Sequence, residues 1–447
     1  MKNVANNDLC TRACGIFILF FSLQAAAAIP IEHWTQPSGA QVWFVQSPGI
    51  PMVDVQIDFD AGDRRDPAAK AGLASVTATE STKGIAAQDG DGVIDQNALS
   101  EAWADLGASF GASAGSDRMS FSLRSLTEPD LLAQAAALAA RQLGAPAFPN
   151  DVWQRDRQRF VASLREANTR PATQAQRAFS AAVYGDHPYG QEMTPETLAR
   201  IDTADMRELY ARTIRPCRAK VSIVGAVDRE RADALAAQLL GRLLAGPCDA
   251  LAPVPEVAPL AAGVTRAIPF PSAQAHILIG QPGYKRDDPD YFALTVGNYI
   301  LGGGGFVSRL TSEVREKRGL SYSVYSYFSP GLHAGAFTIG MQTRPDQAAQ
   351  AVDVAKKVLA DFVADGPTEA ELEAAKQNLI GGFALRLDSN RALLGNVANI
   401  AWNHLPLDYL DTWTDHVKAL TVADIKAAFA RKLDPRHMVT VVVGATP

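Results

Sequence analysis

The chain is organised around the segment Leu301-Gly302-Gly303-Gly304-Gly305-Phe306-Val307-Ser308-Arg309-Leu310, continued by residues 311–318 and by Gly319-Leu320-Ser321-Tyr322-Ser323-Val324-Tyr325. A glycine run opens the segment, a polar helical stretch follows, and a strand rich in serine and tyrosine closes it. Val307, Leu310 and Val314 recur at i, i+3 and i+7, which predicts one apolar stripe along a helix. Arg315 lies beside this stripe, seven residues before Tyr322. We therefore expect a cation leaving a helix and a phenol entering a strand to face one cleft.

The composition predicts a folded protein of two domains. A chain of 447 residues exceeds one ordinary domain and favours two of about 200 residues each. Hydrophobic residues make up 47% and charged residues 20%, which is typical of a globular and not of a disordered chain. The net charge of −6 argues against a general attraction to nucleic acid or to an anionic membrane.

Residues 1–28 carry the pattern of a cleavable secretory signal peptide. Lys2 and Arg12 precede the apolar run of residues 16–21, and four alanines at residues 25–28 supply small side chains for a cleavage site. The run is too short to span a bilayer comfortably. Asp8 lowers the net positive charge of the region before the apolar run, so a signal that remains uncleaved as a membrane anchor is the alternative. We expect the mature protein to be exported, to the periplasm, with no stable membrane span after cleavage.

Two segments of the chain repeat each other. Residues 201–226 align without gaps onto residues 420–445, and in each copy a helix leads through a proline into an apolar strand that stops at Gly-Ala. A fixed offset across two kinds of element indicates a duplicated domain. Hairpins mixed with long helices, found twice, predict an α+β fold with a mixed, largely antiparallel sheet packed with helices in each domain.

A proline-rich stretch separates the two copies. Gly246-Pro247 and the prolines at positions 253, 255 and 259 cannot continue a helix and predict an extended linker. We therefore place an N-terminal domain at residues 29–246, a linker at 247–262 and a C-terminal domain at 263–447. In the second domain a strand over residues 321–328 is expected to pair with one over residues 336–343.

The string LGGG…SRL…EVREKRGLSYSVYSYFSP within residues 301–330 closely resembles the C-terminal half of M16 metallopeptidases, the family of pitrilysin, insulinase and the processing peptidases. In that family an Arg and a Tyr seven residues apart hold the substrate carbonyl and its oxyanion. The resemblance assigns these roles to Arg315 and Tyr322, with a peptide as substrate. Each residue also has an ordinary structural explanation. A tyrosine in a strand usually serves packing, and an arginine at the end of a helix usually interacts favourably with the helix dipole.

The glycine run at Gly302, Gly303, Gly304 and Gly305 admits two interpretations. The resemblance implies a flexible loop that contacts substrate, and tight backbone packing at the start of a helix fits equally well. A phosphate-binding loop is not supported, because no Gly-Lys-Ser/Thr follows the run and the preceding segment is predicted to be helical rather than a strand.

The zinc-binding motif of the family is missing. Catalytic M16 chains carry H-x-x-E-H on the first long helix, here expected over residues 67–82, with both histidines on one face as zinc ligands and the glutamate activating water. Ser75 and Thr79 occupy the histidine positions, Ala78 occupies the glutamate position, and the third ligand of the family maps near Ser163, three residues from Glu166. No two of the seven histidines have the i, i+4 spacing; they are His33, His187, His276, His333, His404, His416 and His437. We expect no metal in this chain and no peptide cleavage by the chain alone.

The resemblance implies a function in a two-chain enzyme. Members of the family build a chamber from two halves, one with zinc and one with the Arg/Tyr pair, and some bacterial members place the halves on separate chains. The chain is therefore predicted to be the noncatalytic, substrate-binding subunit of a periplasmic heterodimer whose H-x-x-E-H partner holds zinc. A binding or scaffold protein that retains the fold and acts alone is the alternative, whereas the absent ligands argue against a peptidase that acts alone.

Two cysteines remain once the signal is removed. Cys10 and Cys14 lie within the predicted signal, which leaves Cys217 and Cys248 in the mature chain. An even pair in an oxidising compartment is compatible with one disulfide, and two buried free thiols are equally compatible.

Overall fold

The computed structural model describes residues 29–444, so the predicted signal peptide lies outside the described residues. Between residue 29 and the linker the chain forms eight strands and eight α-helices. The strands are β1 (Glu32–Thr35), β2 (Gln41–Gln46), β3 (Met52–Phe59), β4 (Gly84–Ile85), β5 (Ile94–Asp95), β6 (Ser109–Ala114), β7 (Met119–Leu126) and β8 (Lys220–Gly225). The helices are α1 (Leu73–Glu80), α2 (Gln96–Asp105), α3 (Pro129–Gly144), α4 (Asn150–Ala167), α5 (Pro171–Tyr184), α6 (Pro195–Leu198), α7 (Thr203–Thr213) and α8 (Arg229–Leu240).

Five strands and six α-helices follow the linker in the described part of the chain. The strands are β9 (Val264–Ile268), β10 (Ala275–Pro282), β11 (Val324–Phe328), β12 (Ala336–Thr343) and β13 (Val439–Val443). The helices are α9 (Tyr291–Asn298), α10 (Ala348–Asp365), α11 (Glu369–Gly381), α12 (Asn390–Asn403), α13 (Tyr409–Ala419) and α14 (Val422–Lys432). None of the helices within residues 29–444 is long and apolar enough to cross a membrane.

The two large sheets share the order of five strands, and the first sheet has β1 as an additional strand at its edge. The first sheet runs β1-β2-β8-β3-β7-β6, and the second, taken from its other end, runs β9-β13-β10-β12-β11. In each sheet one pair is parallel, β2 with β8 and β9 with β13, whereas the other neighbours are antiparallel. The predicted α+β fold with a duplicated, largely antiparallel sheet is therefore confirmed.

The duplication extends further along the chain than the sequence alignment. Helices α10, α11, α12 and α14 begin 219 residues after α3, α4, α5 and α7, and β13 begins 219 residues after β8. The offset seen between residues 201 and 420 thus holds from α3 onward, across segments in which the residues themselves no longer match.

The two halves of the chain exchange one helix each. Helix α5 precedes the linker but packs on β10 and β13 of the second sheet, and its counterpart α12 packs on β8 and β3 of the first. Buried Phe179 and Val183 of α5 form a small core with Val439 and Val441 of β13. Gly280 permits this close approach, since a Cβ at that position would lie 2.8 Å from the Cζ atom of Phe179. Each sheet is therefore covered partly by the other half of the chain.

The helix expected over residues 67–82 is shorter than predicted. Residues 68–70 form a single 3-10 turn, and helix α1 begins only at Leu73. Gly72 separates the two with a φ of 97°, a left-handed conformation that interrupts a right-handed helix and favours glycine. The helix that would carry the zinc motif consequently starts two residues before Ser75.

Candidate functional site

The segment 299–323 folds as a series of short, wide turns rather than one regular helix. After α9, residues Tyr299–Gly303 form a π-helical turn, Gly305–Val307 a 3-10 turn and Thr311–Glu316 a second π-helical turn. Leu310 and Val314 are fully buried, but the predicted third member of their stripe, Val307, is 76% exposed. That part of the prediction is wrong because Ser308 has an extended backbone, φ −82° and ψ 152°, which breaks the helix between Val307 and Leu310.

The glycine run serves two local purposes. Gly302 is buried, and a Cβ there would lie 2.6 Å from the backbone nitrogen of Ser326, so only glycine lets this turn pack against β11. Gly305 has a φ of +62° and no atom within 4 Å of its would-be Cβ, so backbone conformation and not packing favours glycine there. Gly303 and Gly304 approach their own helix, at Asn298 and Tyr299 respectively.

Arg315 lies between two aromatic rings. Its guanidinium carbon is 4.7 Å from the ring centre of Phe306 and 4.8 Å from that of Tyr322, within the range of cation–π attraction. Within residues 29–444 Arg315 has no carboxylate partner and makes no side-chain hydrogen bond, whereas Lys317 and Arg318 both pair with Glu313. The stacking orients the guanidinium while leaving its N–H groups available to an incoming acceptor.

Tyr322 is presented to solvent beside this cation. Its side chain is 82% exposed and it precedes β11, which begins at Val324 and not at Ser321 as predicted. The hydroxyl of Ser321 donates to the carbonyl oxygens of Ser323 and Gln342, which fixes the backbone on both sides of Tyr322. The arrangement therefore offers a phenol and a guanidinium side by side, two donors suited to a negatively charged oxygen.

An ion pair connects the segment before Arg315 to helix α11. Arg309 donates through Nε and Nη2 to the two carboxylate oxygens of Glu371, each at 2.7 Å, and Nη2 also donates to the carbonyl oxygen of Gly366. Burial by itself raises the pKa of Glu371, but the hydrogen bonds from Arg309 and Thr368 outweigh it and lower the pKa to about 2. The residues flanking Arg315 are thus tied to the start of α11.

The hydroxyl groups at the positions of the two missing histidines each have a hydrogen-bond acceptor within the chain. Ser75 Oγ donates to Asp63 Oδ1 at 2.9 Å, and Thr79 Oγ1 donates to the carbonyl oxygen of Ser75 at 3.0 Å. Ala78 is buried and has no polar group. Because hydroxyls engaged in this way provide neither imidazole nor carboxylate, these residues do not fit a zinc ion.

Other acidic and histidine side chains do not replace the lost ligands. Ser163, predicted to lie near the third ligand position, is exposed on α4, and Glu166 pairs with Arg170 at 2.5 Å. Over residues 29–444 no group of three or more His, Cys, Asp or Glu side chains is arranged to hold a metal ion.

One buried acid in this region was missed by the sequence analysis. Glu80, the residue after Thr79, is 0% exposed, and neither of its carboxylate oxygens has a hydrogen-bond partner among the described residues. Burial first, and then the charge of Asp156 on α4, raise the pKa of Glu80 to about 7, against the opposing effects of Lys83 and Arg155. The sequence signal would have been a glutamate on the buried face of an otherwise small and apolar helix.

Cys217 and Cys248 lie next to each other although 31 positions separate them in the sequence. Cys217 and Cys248 form a disulfide, with Cα atoms 6.2 Å apart, and Cys217 belongs to a 3-10 turn just before β8. The bridge ties the first residues of the linker to the first domain.

Comparison with known proteins identifies a family and several structures that are similar to this chain. Residues 200–379 match the family described as peptidase M16 inactive domain. The crystal structure of a peptidase M16 inactive domain from Pseudomonas fluorescens has a TM-score of 0.87 at 35% identity and covers 93% of this chain and 98% of its own. A protease from Helicobacter pylori has the same fold, with a TM-score of 0.83 at 19% identity over 93% of this chain and 99% of that one. An uncharacterised zinc protease of Mycobacterium leprae is 29% identical over 262 residues, so the match spans 58% of this chain and only 59% of that curated relative.

Proposed function

Because this chain belongs to the M16 peptidase family and matches that family's inactive domain, we propose that it is the noncatalytic, substrate-binding subunit of a two-chain zinc peptidase. In this proposal a partner chain with an H-x-x-E-H motif holds zinc and activates water. The present chain binds a peptide and contributes Arg315 and Tyr322 to the active site of its partner. Both chains act outside the cytoplasm, in the periplasm, to which the N-terminal pattern of residues 1–28 directs the protein.

The arrangement of Arg315 and Tyr322 is the observation that carries the proposal. The guanidinium is 4.8 Å from the Tyr322 ring, is free of any carboxylate among the described residues, and shares an exposed surface with the phenol. A tyrosine that served only packing would be expected to be buried, and an arginine that served only the fold would be expected to be paired. Donors placed in this way stabilise an oxyanion that develops on a peptide carbonyl.

The first domain supports the noncatalytic part of the proposal. Ser75 and Thr79 replace the two histidines and form hydrogen bonds within the helix region, and Ala78 replaces the general base. The curated relative in Mycobacterium leprae is named a zinc protease, although it is uncharacterised and the match spans only 59% of its length. A zinc-bearing partner would supply the chemistry that this chain lacks.

The association is tested by recovering the tagged mature protein from its native extract and identifying the chains that co-elute. We expect an M16 chain with an intact H-x-x-E-H motif in equal amount. Elution of the protein alone or as a homodimer would refute the heterodimer and would favour the alternative, a binding or scaffold protein that retains the fold and acts alone.

The role of the pair is tested with Arg315→Ala and Tyr322→Phe in the reconstituted complex. Removal of one oxyanion donor lowers kcat by about 10²–10³-fold, equivalent to roughly 3–4 kcal/mol of transition-state stabilisation. Arg344→Ala is the matched control, since Arg344 is an exposed arginine of the same domain that pairs only with Asp346. Each variant should retain the melting temperature and partner binding of the parent; unchanged turnover in both site variants would exclude the proposed role.

A further inference from the structure

A cavity distant in sequence from Arg315 lies beneath the linker, against the loop after β3 and the turn before β8. It has a volume of about 570 Å³ and is walled on one side by residues 247–255. Five arginines line it: Arg64 and Arg65 from the loop after β3, and Arg212, Arg215 and Arg218 from the end of α7 and the turn before β8. In a chain with a net charge of −6, such a concentration of guanidinium groups requires an explanation.

Two of the five arginines are neutralised by the fold. Arg64 and Arg65 share the carboxylate of Asp60, at 2.6 Å and 2.5 Å, and Arg64 also reaches Asp117 at 3.0 Å. These ion pairs hold the loop after β3 in place.

The remaining three arginines have no carboxylate partner within the described residues. Arg215 donates only to the carbonyl oxygens of residues 244 and 245, at 2.7 Å and 3.1 Å. Arg218 donates through Nη2 to the carbonyl oxygen of Asp249, while its Nε is buried without an acceptor. Arg212 is exposed and makes no side-chain hydrogen bond in the described structure. Of the described residues that line the cavity, only Asp249 carries a carboxylate.

The surroundings of Arg218 are unfavourable for the positive charge of its guanidinium group. Burial is the main cause that lowers the pKa of its guanidinium; the charges of Arg215 and Arg65 act in the same direction, against the opposing charges of Asp60 and Asp249. A buried donor without an acceptor is unfavourable, because the hydrogen bond that it made to water in the unfolded chain is not replaced. A bound anion would offset the cost of burying the positive charge and would accept the missing hydrogen bond.

We propose that this cavity is a binding site for an oxyanion of the phosphate class. Guanidinium groups donate in pairs to the oxygens of phosphate, and three guanidinium groups without a carboxylate partner suit a ligand with several oxygens better than they suit one planar carboxylate. The disulfide between Cys217 and Cys248 and the hydrogen bond from Arg65 to the carbonyl oxygen of Ala252, at 2.8 Å, fix the linker wall. The site is thus preformed, and it is independent of the peptide-binding role proposed for Arg315 and Tyr322.

The proposal is tested by calorimetric titration of the mature, disulfide-bonded chain with sodium tripolyphosphate and with inorganic phosphate. A second arm measures co-sedimentation with phosphatidylcholine vesicles that contain or lack phosphatidic acid, since a phosphate group can belong to a soluble molecule or to a lipid headgroup. We expect tripolyphosphate to bind more tightly than phosphate and to bind less tightly as salt increases, because the cavity is open to solvent.

Arg212→Gln is the main variant, because this exposed arginine makes no contact that folding requires. Loss of one charge-assisted pair should weaken tripolyphosphate binding about 10-fold. Arg218→Gln should act in the same direction, and Arg266→Gln is the control, since Arg266 is exposed on β9 and does not line the cavity. Thermal unfolding of each variant establishes that it is folded.

The outcomes separate the sources of the ligand and decide the proposal. Soluble phosphates that bind through Arg212 but not Arg266 support a free ligand, and vesicle binding with the same dependence supports a headgroup. Absence of binding to the parent chain in both arms, or an equal loss in the control variant, would overturn the proposal, because either result means that no built site exists.

Discussion

Replacement of Glu80 by glutamine should change how the stability of this protein depends on pH. Glu80 is fully buried on α1, its two carboxylate oxygens have no hydrogen-bond partner among the described residues, and Asp156 faces it from α4. The carboxylate form is therefore disfavoured in the folded chain, whereas the unfolded chain exposes the same group to water. Glutamine has nearly the same size and cannot ionise.

The magnitude follows from the pKa. Burial and Asp156 raise the pKa of Glu80 from 4.5 to about 7 in the folded chain, which corresponds to at most about 3 kcal/mol. Below about pH 4.5 the group is protonated in both states and the penalty is absent. Since the folded pKa is the higher one, the free energy of unfolding falls as the pH rises from 4.5 to 7, and the full penalty applies above that range.

The assay is denaturant unfolding of the parent and of Glu80→Gln at several pH values with the disulfide intact. The variant should match the parent near pH 4.5 and exceed its free energy of unfolding by about 2–3 kcal/mol near pH 8. Glu208→Gln on the exposed face of α7 is the matched control for loss of a carboxylate at the surface of a helix. A difference for Glu80→Gln that is the same at both ends of the range would refute the reasoning, because the charge would then not be the source of the effect.

Three further predictions concern the loop, the linker and the ion pair. Gly302→Ala should lower stability by about 1–3 kcal/mol, measured by thermal unfolding, because the added methyl group meets the backbone nitrogen of Ser326, whereas Gly381→Ala, with open space around it, should be neutral. Reduction of the Cys217–Cys248 bridge, which closes a separation of 31 residues, should lower the free energy of unfolding by about 3–4 kcal/mol, and an unchanged denaturation midpoint would contradict this. Arg309→Gln should cost about 1–2 kcal/mol at neutral pH, and the difference should disappear as acid protonates its carboxylate partner near pH 2; a pH-independent difference would count against the ion pair.

The sequence carried enough information for the architecture. Residues 201–226 and 420–445 preserved a strand, a turn and a helix in register, and the structure extends the same offset back to α3 and α10. Alternating and helical periodicities also predicted the hairpin of β11 with β12. The exchange of α5 and α12 was not predictable, because an amphipathic helix shows that it covers a sheet but does not show which of two similar sheets it covers.

The candidate site was predicted less completely. The spacing of Arg315 and Tyr322 and the resemblance together predicted the segment, but the stacking of Phe306 on Arg315 depends on the break at Ser308 and was not predicted. Periodicity assumes a regular helix, so the two π-helical turns of this segment displaced Val307 from its expected buried position. The sequence signal for Glu80 was a glutamate on the buried face of a small and apolar helix, and this pattern does not distinguish an unpartnered acid from a paired one.

A linker usually both connects two domains and keeps them close together. In this chain the exchanged helices also keep the two halves together, independently of the linker. Because α5 covers the second sheet and α12 covers the first, each half completes the hydrophobic core of the other. A protease that cut the linker would break the covalent connection but should not release the fragments, which would stay associated as a noncovalent pair. Either fragment made alone would expose one face of its sheet and would be prone to aggregate.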